Sequence, residues 1–157
     1  MSTGEMRRVT AINNGTVIDH IPAGGALSVL RMLGISDDRA SPISLVMNVP
    51  SSKHGRKDII KVEDRELTQH ELDRLALIAP KASVAIIRSY AVAEKREVTI
   101  GKELVNVARC TFSNCITNNS REPLDHRLNV VKTDPLELRC RYCGRPQNMS
   151  ELINNLI

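Results

Sequence analysis

Four cysteines, Cys110, Cys115, Cys140 and Cys143, stand in the last third of the chain at the spacing C-x4-C-x24-C-x2-C, and the chain has no others. Two short-range pairs, each able to close a tight turn, joined by a segment long enough for two or three strands, match what a tetrahedral thiolate site for zinc requires. Four sulfurs fill that coordination sphere and leave His126 surplus, so the expected metal is one structural Zn2+ with no open position for water or substrate. Two lesser alternatives stand beside zinc. Disulfides need an oxidising compartment, whereas the chain opens MSTGEMRRVT, without an apolar leader. Iron–sulfur spacings usually crowd three cysteines into one run.

The zinc bears on domain organisation. Of 157 residues, the segment 101–157 carries too few apolar side chains for much of a core, and metal ligation can supply the missing folding free energy. The expected division is therefore residues 1–100, with an ordinary core, and residues 101–157, a small all-β zinc domain. No stretch approaches the roughly 18 apolar residues of a membrane span, so the expectation is a soluble, cytoplasmic protein. The net charge of +4 hints at nucleic acid, but it divides evenly: 14 basic against 12 acidic residues before position 101, and 8 against 6 after it. A tetrathiolate zinc centre adds about two negative charges of its own. With two tyrosines and one phenylalanine, base stacking has little to work with. Nucleic-acid binding is unsupported.

Along the first hundred residues the pattern alternates. A short apolar run at 9–12 precedes the turn signal Asn13, Asn14, Gly15. Residues 16–21 read as a β-branched strand closed by Pro22. Apolar positions at 26, 27, 29, 30 and 33 recur at helical spacing up to Gly34. Residues 43–49 and 58–63 read as strands separated by a polar loop at 50–55. A helix follows with Thr68 as N-cap, Glu71 as capping-box partner, Leu67 and Leu72 as staple and Pro80 as stop. Residues 83–88 and 91–96 make two more strands joined tightly at Ser89 and Tyr90, and 98–107 reads as a hinge. Setting aside the first run and the last strand, the order is β-α-β-β-α-β, a ferredoxin-like antiparallel sheet with two helices on one face. The fold class is α+β, and the other face of the sheet needs a partner or a ligand.

Several side chains are placed for such a ligand. Lys57 and Lys61 sit at even spacing on one strand, their backbones about 13 Å apart, and either bracket a polyphosphate or guard an edge against pairing. Asp19 and His20 are adjacent, so strict alternation sends them to opposite faces unless the strand bends before Pro22. No catalytic constellation and no Gly-rich phosphate loop is present: the run AGGA at 23–26 lacks the required spacing. No enzyme is expected.

Four segments in one order resemble the regulatory chain of aspartate carbamoyltransferase, the non-catalytic partner in the second step of pyrimidine synthesis: GTVIDHIP at 15–22, GRKDIIKVE at 55–63, LALIAP at 75–80, and the cysteine spacing. The resemblance runs nearly end to end. It implies an allosteric domain that binds CTP or ATP and a zinc domain that docks on the catalytic chain, with regulatory dimers bridging catalytic trimers. Carried onto this chain, it implies that the backbone at Val9, Ala11, Ile12 and Tyr90 reads the base, with Ile87 beside it. Asp19, Lys61 and Val92 then lie near the ribose and base edge, and His20, Lys57 and Lys95 face the phosphates. Three departures stand out. Ala85 replaces a common amide, Asn114 alone remains of a catalytic-chain contact run, and Gly144 follows the last cysteine where a charge can occur. The rival reading is a zinc ribbon whose Arg139, Arg141 and Arg145 touch nucleic-acid phosphates.

Overall fold

The computed structural model describes residues 11–34, 41–52, 55–121 and 123–157. Residues 9, 10, 53 and 54, and with them Val9 of the expected base-reading run, lie outside it. By its contacts the chain divides into two compact units, Met1–Thr68 with Lys81–Val98, and Gln69–Pro80 with Thr99–Ile157.

The first unit holds β1 (Gly15–Pro22), α1 (Ala26–Met32), β2 (Ile43–Ser51), β3 (Gly55–Glu63), β4 (Ser83–Arg88) and β5 (Ala91–Glu97). The strands form one antiparallel sheet in the order β2-β3-β1-β4-β5, the split arrangement expected from the element order, with β5 added at the edge. Gly15 starts β1 at φ +144°, where a Cβ would collide with the carbonyl oxygen of Val62. Alternation buries Thr16 and Ile18 of β1, Ile60 and Val62 of β3, and Val84 and Ile86 of β4 on one side of the sheet. Ser89 and Tyr90 both take positive φ, 53° and 63°, closing the two-residue hairpin anticipated between β4 and β5.

Two strands carry bulges. In β1 the register slips between Ile18, opposite Ile60, and Ile21, opposite Asp58, so Asp19 and His20 together face one residue of β3; His20 takes φ +59°. In β2 the slip falls between Val46 and Val49, with Asn48 at φ +58°. Asp58, fully buried between them, holds both the second bulge and the start of α1. Its Oδ1 accepts the Asn48 N–H at 2.8 Å, and its Oδ2 accepts those of Gly24 at 3.0 Å and Ala26 at 3.1 Å. α1 therefore has its cap supplied from a distant strand, since its own N-cap residue, Gly25, has no side chain to give.

The second unit contains α2 (Gln69–Ile78), which begins directly after the expected cap Thr68 and ends before Pro80. It also contains β6 (Glu103–Val105), β7 (Arg127–Thr133), β8 (Leu136–Cys140) and the short α3 (Met149–Ile153), the sheet running β6-β7-β8. The expected hinge at 98–107 thus includes a paired strand, Leu104 lying opposite Leu128. Leu77, Leu104, Val107, Ala108, Leu128, Leu138 and Leu152 pack in one buried cluster with Cys110, Cys115 and Cys140. No helix among the described residues is long and apolar enough to cross a membrane.

Candidate metal centre and open sheet face

Each pair of cysteines sits on its own local turn. In the first, the Cys115 N–H donates to the Phe112 carbonyl at 3.0 Å and a 3-10 turn over Ile116–Asn118 follows. The Asn118 amide clamps this turn by donating to the carbonyls of Cys110 at 3.0 Å and Phe112 at 2.8 Å. In the second, the Cys140 N–H donates to the Arg145 carbonyl at 3.1 Å and the Gly144 N–H to the Cys140 carbonyl at 2.9 Å. Gly144 takes φ +72°, a conformation in which glycine suffers no Cβ penalty, so its departure from a charged residue serves the turn itself.

The four cysteines are free thiols whose Sγ atoms lie within 4.8 Å of one another, and among the described residues they are the group able to hold a metal. Two of the approaches cross between the turns, Cys110 to Cys143 at 3.8 Å and Cys115 to Cys140 at 3.6 Å. Zinc–sulfur bonds of about 2.3 Å in a tetrahedron require sulfur separations of about 3.8 Å, so the residues fit one structural Zn2+. His126 is not part of the group, and burial, then the nearby Arg109 charge, lowers its pKa. Burial pushes the Cys110 thiol up to about 12 and raises that of Cys140. Burial also opposes ionisation of Cys115, but hydrogen bonds from Thr117 and the neighbouring thiols outweigh it and bring that thiol down to about 7.

Two polar side chains that spacing does not disclose touch the sulfurs. Gln147, buried, donates from Nε2 to Cys110 Sγ at 3.4 Å, while its Oε1 accepts from the Thr111 N–H at 2.8 Å and hydroxyl at 2.9 Å. The Thr117 hydroxyl lies 3.1 Å from Cys115 Sγ. The arginines around the second turn are engaged within the chain. Arg141 pairs with Glu103 at 2.8 Å, Arg145 donates to Asn114 Oδ1 at 2.7 Å with its guanidinium 4.8 Å from the Phe112 ring centre, and Arg139 donates to the Gly144 carbonyl at 3.2 Å. Hydrogen bonds from Arg141 and Arg127 hold the Glu103 carboxyl below its ordinary value.

On the first unit's sheet, register assembles the other predicted residues. Ser44, Lys61, Val17, Ala85 and Lys95 lie side by side across the five strands, opposite in alternation to the buried side. Gly15, Ile87 and Val92 form the next row. With strands about 4.8 Å apart, the backbones of Lys61 and Lys95 stand about 14 Å apart. The bulge resolves the problem of adjacency. Ile18 and Ile21 both point into the core, and the two residues between them, Asp19 and His20, are both part-exposed. Asp19 Oδ1 accepts the His20 N–H at 2.6 Å and pairs with Lys57 Nζ at 3.0 Å. Ala11 is exposed and Ile12 buried, and the adjoining residues Asn13 and Asn14 reach the hairpin: the Asn13 carbonyl accepts the Tyr90 N–H at 2.8 Å and Asn14 Oδ1 the Ser89 N–H at 3.2 Å.

The comparisons with known proteins agree with this division of features. The family described as "Aspartate carbamoyltransferase regulatory chain, allosteric domain" matches residues 7–99, and the one described as "Aspartate carbamoyltransferase regulatory chain, metal binding domain" matches residues 102–153. Curated proteins named aspartate carbamoyltransferase regulatory chain are similar throughout. That of Korarchaeum cryptofilum is 47% identical over 94% of each chain, and that of Metallosphaera sedula 48% identical over 95% of this chain and 94% of its own. The protein of Methanothrix thermoacetophila is 49% identical over 88% of this chain and 90% of its own. With both family matches in sequence order and the four-thiol site formed, the chain belongs to the aspartate carbamoyltransferase regulatory chain family, a regulatory and not a catalytic subunit.

Proposed function

We propose that the open sheet face of the first unit binds CTP and ATP at one shared site, and that the bound nucleotide biases the activity of an aspartate carbamoyltransferase catalytic chain on which the zinc-bearing part docks. The working division is residues 1–100 for nucleotide and 101–157 for zinc and docking, in a cytoplasmic assembly of regulatory dimers with catalytic chains. The observation that carries this reading is that Lys57, Lys61 and Lys95 share one face, with the Lys61 backbone about 13–14 Å from each of the other two and those two about 19 Å apart, and with Asp19 and His20 turned to the same side by a bulge.

Three long lysine side chains rooted on one face suit an elongated anion with its charge at one end. A triphosphate facing Lys57, Lys95 and His20 gains charge-assisted hydrogen bonds, each stronger than a neutral one. Asp19, already paired with Lys57, hands that lysine to the phosphate and turns toward ribose hydroxyls with its acceptor oxygens. Tyr90 commits its N–H to Asn13, so its carbonyl, with the backbone of residues 9, 11 and 12, meets the base edge, and Ile87 and Val92 line its flat face. Ala85, in the row between Val17 and Lys95, offers no side-chain hydrogen bond, so discrimination between the two bases falls to backbone atoms. Regulation then requires that the site differ between two states of the assembly by a coupling of about 1–3 kcal/mol.

Replacing Lys95 by alanine tests the site. CTP affinity should fall about 10- to 100-fold, the loss of a charge-assisted contact, while zinc content stays unchanged. Unaltered CTP affinity in that variant would contradict the phosphate assignment.

A further inference from the structure

The four sulfurs are not equivalent in what surrounds them. Cys110 Sγ receives the amide of a buried side chain, and that side chain is fixed at every polar atom. Gln147 Oε1 is held by both the N–H and the hydroxyl of Thr111, one residue after Cys110. Its Nε2 divides between Cys110 Sγ at 3.4 Å and the Arg145 carbonyl at 3.1 Å. Its backbone is fixed as well: the Gln147 N–H donates to the Leu138 carbonyl at 2.9 Å, and Arg139 bridges Pro146 beside it. Through Arg145, whose carbonyl also takes the Cys140 N–H, the one side chain joins the two metal-binding turns.

We propose that Gln147 is a positioning residue of the zinc site, whose N–H donates to the Cys110 sulfur, slows release of the metal and shields that sulfur from electrophiles. The inference rests on the four cysteines holding zinc. An N–H aimed at a metal-bound thiolate stabilises its negative charge and lowers its nucleophilicity, and it also fixes the direction in which the sulfur points. Outer partners of this kind commonly alter metal affinity 10- to 100-fold when removed. The Thr117 hydroxyl does a comparable service for Cys115, but it belongs to that sulfur's own turn and so links nothing to the second turn.

Two variants of the full chain separate the sulfur contact from mere support of the loop. Gln147→Leu removes every polar contact of the side chain. Gln147→Glu keeps an acceptor oxygen for Thr111 but presents the sulfur with a carboxylate and no N–H. Three quantities are read on each: the rate at which a chelator takes up zinc, the rate at which N-ethylmaleimide modifies Cys110 as mapped by peptide mass, and the sulfur-to-metal charge-transfer band after cobalt substitution. The expected result is zinc release about tenfold faster or more, Cys110 the first cysteine modified, and a shifted cobalt band in both variants, with Gln147→Glu the more severe. Release and Cys110 modification within twofold of wild type in Gln147→Glu would overturn the proposal alone. So would faster release with an unmoved cobalt band, since loop support would then explain it. Wild-type chain without stoichiometric zinc would overturn the metal reading and the proposal together.

Discussion

The metal centre and the open sheet face gather their residues in opposite ways. Each half of the metal centre is local. Cys110 and Cys115 share one turn, Cys140 and Cys143 another, and only the meeting of two turns is tertiary. The open face is assembled from Lys57 and Lys61 on β3, Asp19 and His20 on β1, Ile87 on β4 and Val92 and Lys95 on β5, and no two strands deliver their part without the register between them. A site made of local turns fails when a single ligand is lost. A site made by register loses affinity in increments.

The largest expected effect follows from that contrast. In Cys140→Ala the metal site loses one of its four ligands, and three of those ligands, Cys110, Cys115 and Cys140, are part of the buried cluster of the second unit. Zinc modules of this kind owe on the order of 10 kcal/mol to the ion, so bound zinc and association with the catalytic chain should both vanish while the sheet of the first unit stays folded. Elution of that variant together with catalytic chain on a sizing column, with normal zinc content, would break the comparison.

Next in size is the pH dependence of zinc affinity. The Cys110 and Cys140 thiols have raised pKa values in the metal-free chain, so at pH 8 both hold protons that zinc must displace. Binding therefore releases at least two protons and strengthens as pH rises, by about 100-fold per unit near pH 8. Cys115, brought down to about 7, contributes a further proton increasingly as pH falls toward and below that value. Competition against a chelator of known affinity between pH 7 and 8.5 measures the slope. A slope below tenfold per unit would show thiols already ionised before the metal arrives.

The smallest effect probes the bulge. His20 holds φ +59° without being glycine, a conformation that costs an ordinary residue about 1 kcal/mol or more. His20→Gly should therefore raise the stability of the first unit by about 0.5–1 kcal/mol in urea titration while weakening nucleotide binding, because the imidazole is gone. Stability and affinity moving in the same direction would mean the strained histidine serves the fold and not the ligand.

Legibility in the sequence followed the same division. The cysteine spacing and the capping signals around Thr68 and Pro80 act over a few residues, and both survived into the structure: a four-sulfur cluster, and a helix over Gln69–Ile78. The β-α-β-β-α-β order was readable because each strand carries its own β-branched run, and the strand order follows from it. What escaped were features made by distant pairs. Asp58 reads as the first residue of a strand, yet it caps α1 and pins Asn48, neither of which its neighbours announce. Alternation sends the adjacent Asp19 and His20 to opposite faces unless the strand bends before Pro22, and the bend that turns both outward is a register slip set by the partner strand. Gln147 and Asn118 look like ordinary polar residues near the end of the chain and after a cysteine; their roles depend on which carbonyls and sulfurs the fold brings to them. The hinge expected at 98–107 hides a strand because Glu103–Val105 is too short to show a period by itself.

Whether the open face is a nucleotide site is decided by calorimetric titration of the zinc-loaded chain with CTP and then ATP. Each nucleotide should bind saturably, with one displacing the other from a single site on the open face. No heat and no binding of either nucleotide would contradict it, and would leave the zinc centre as the functional feature of the chain.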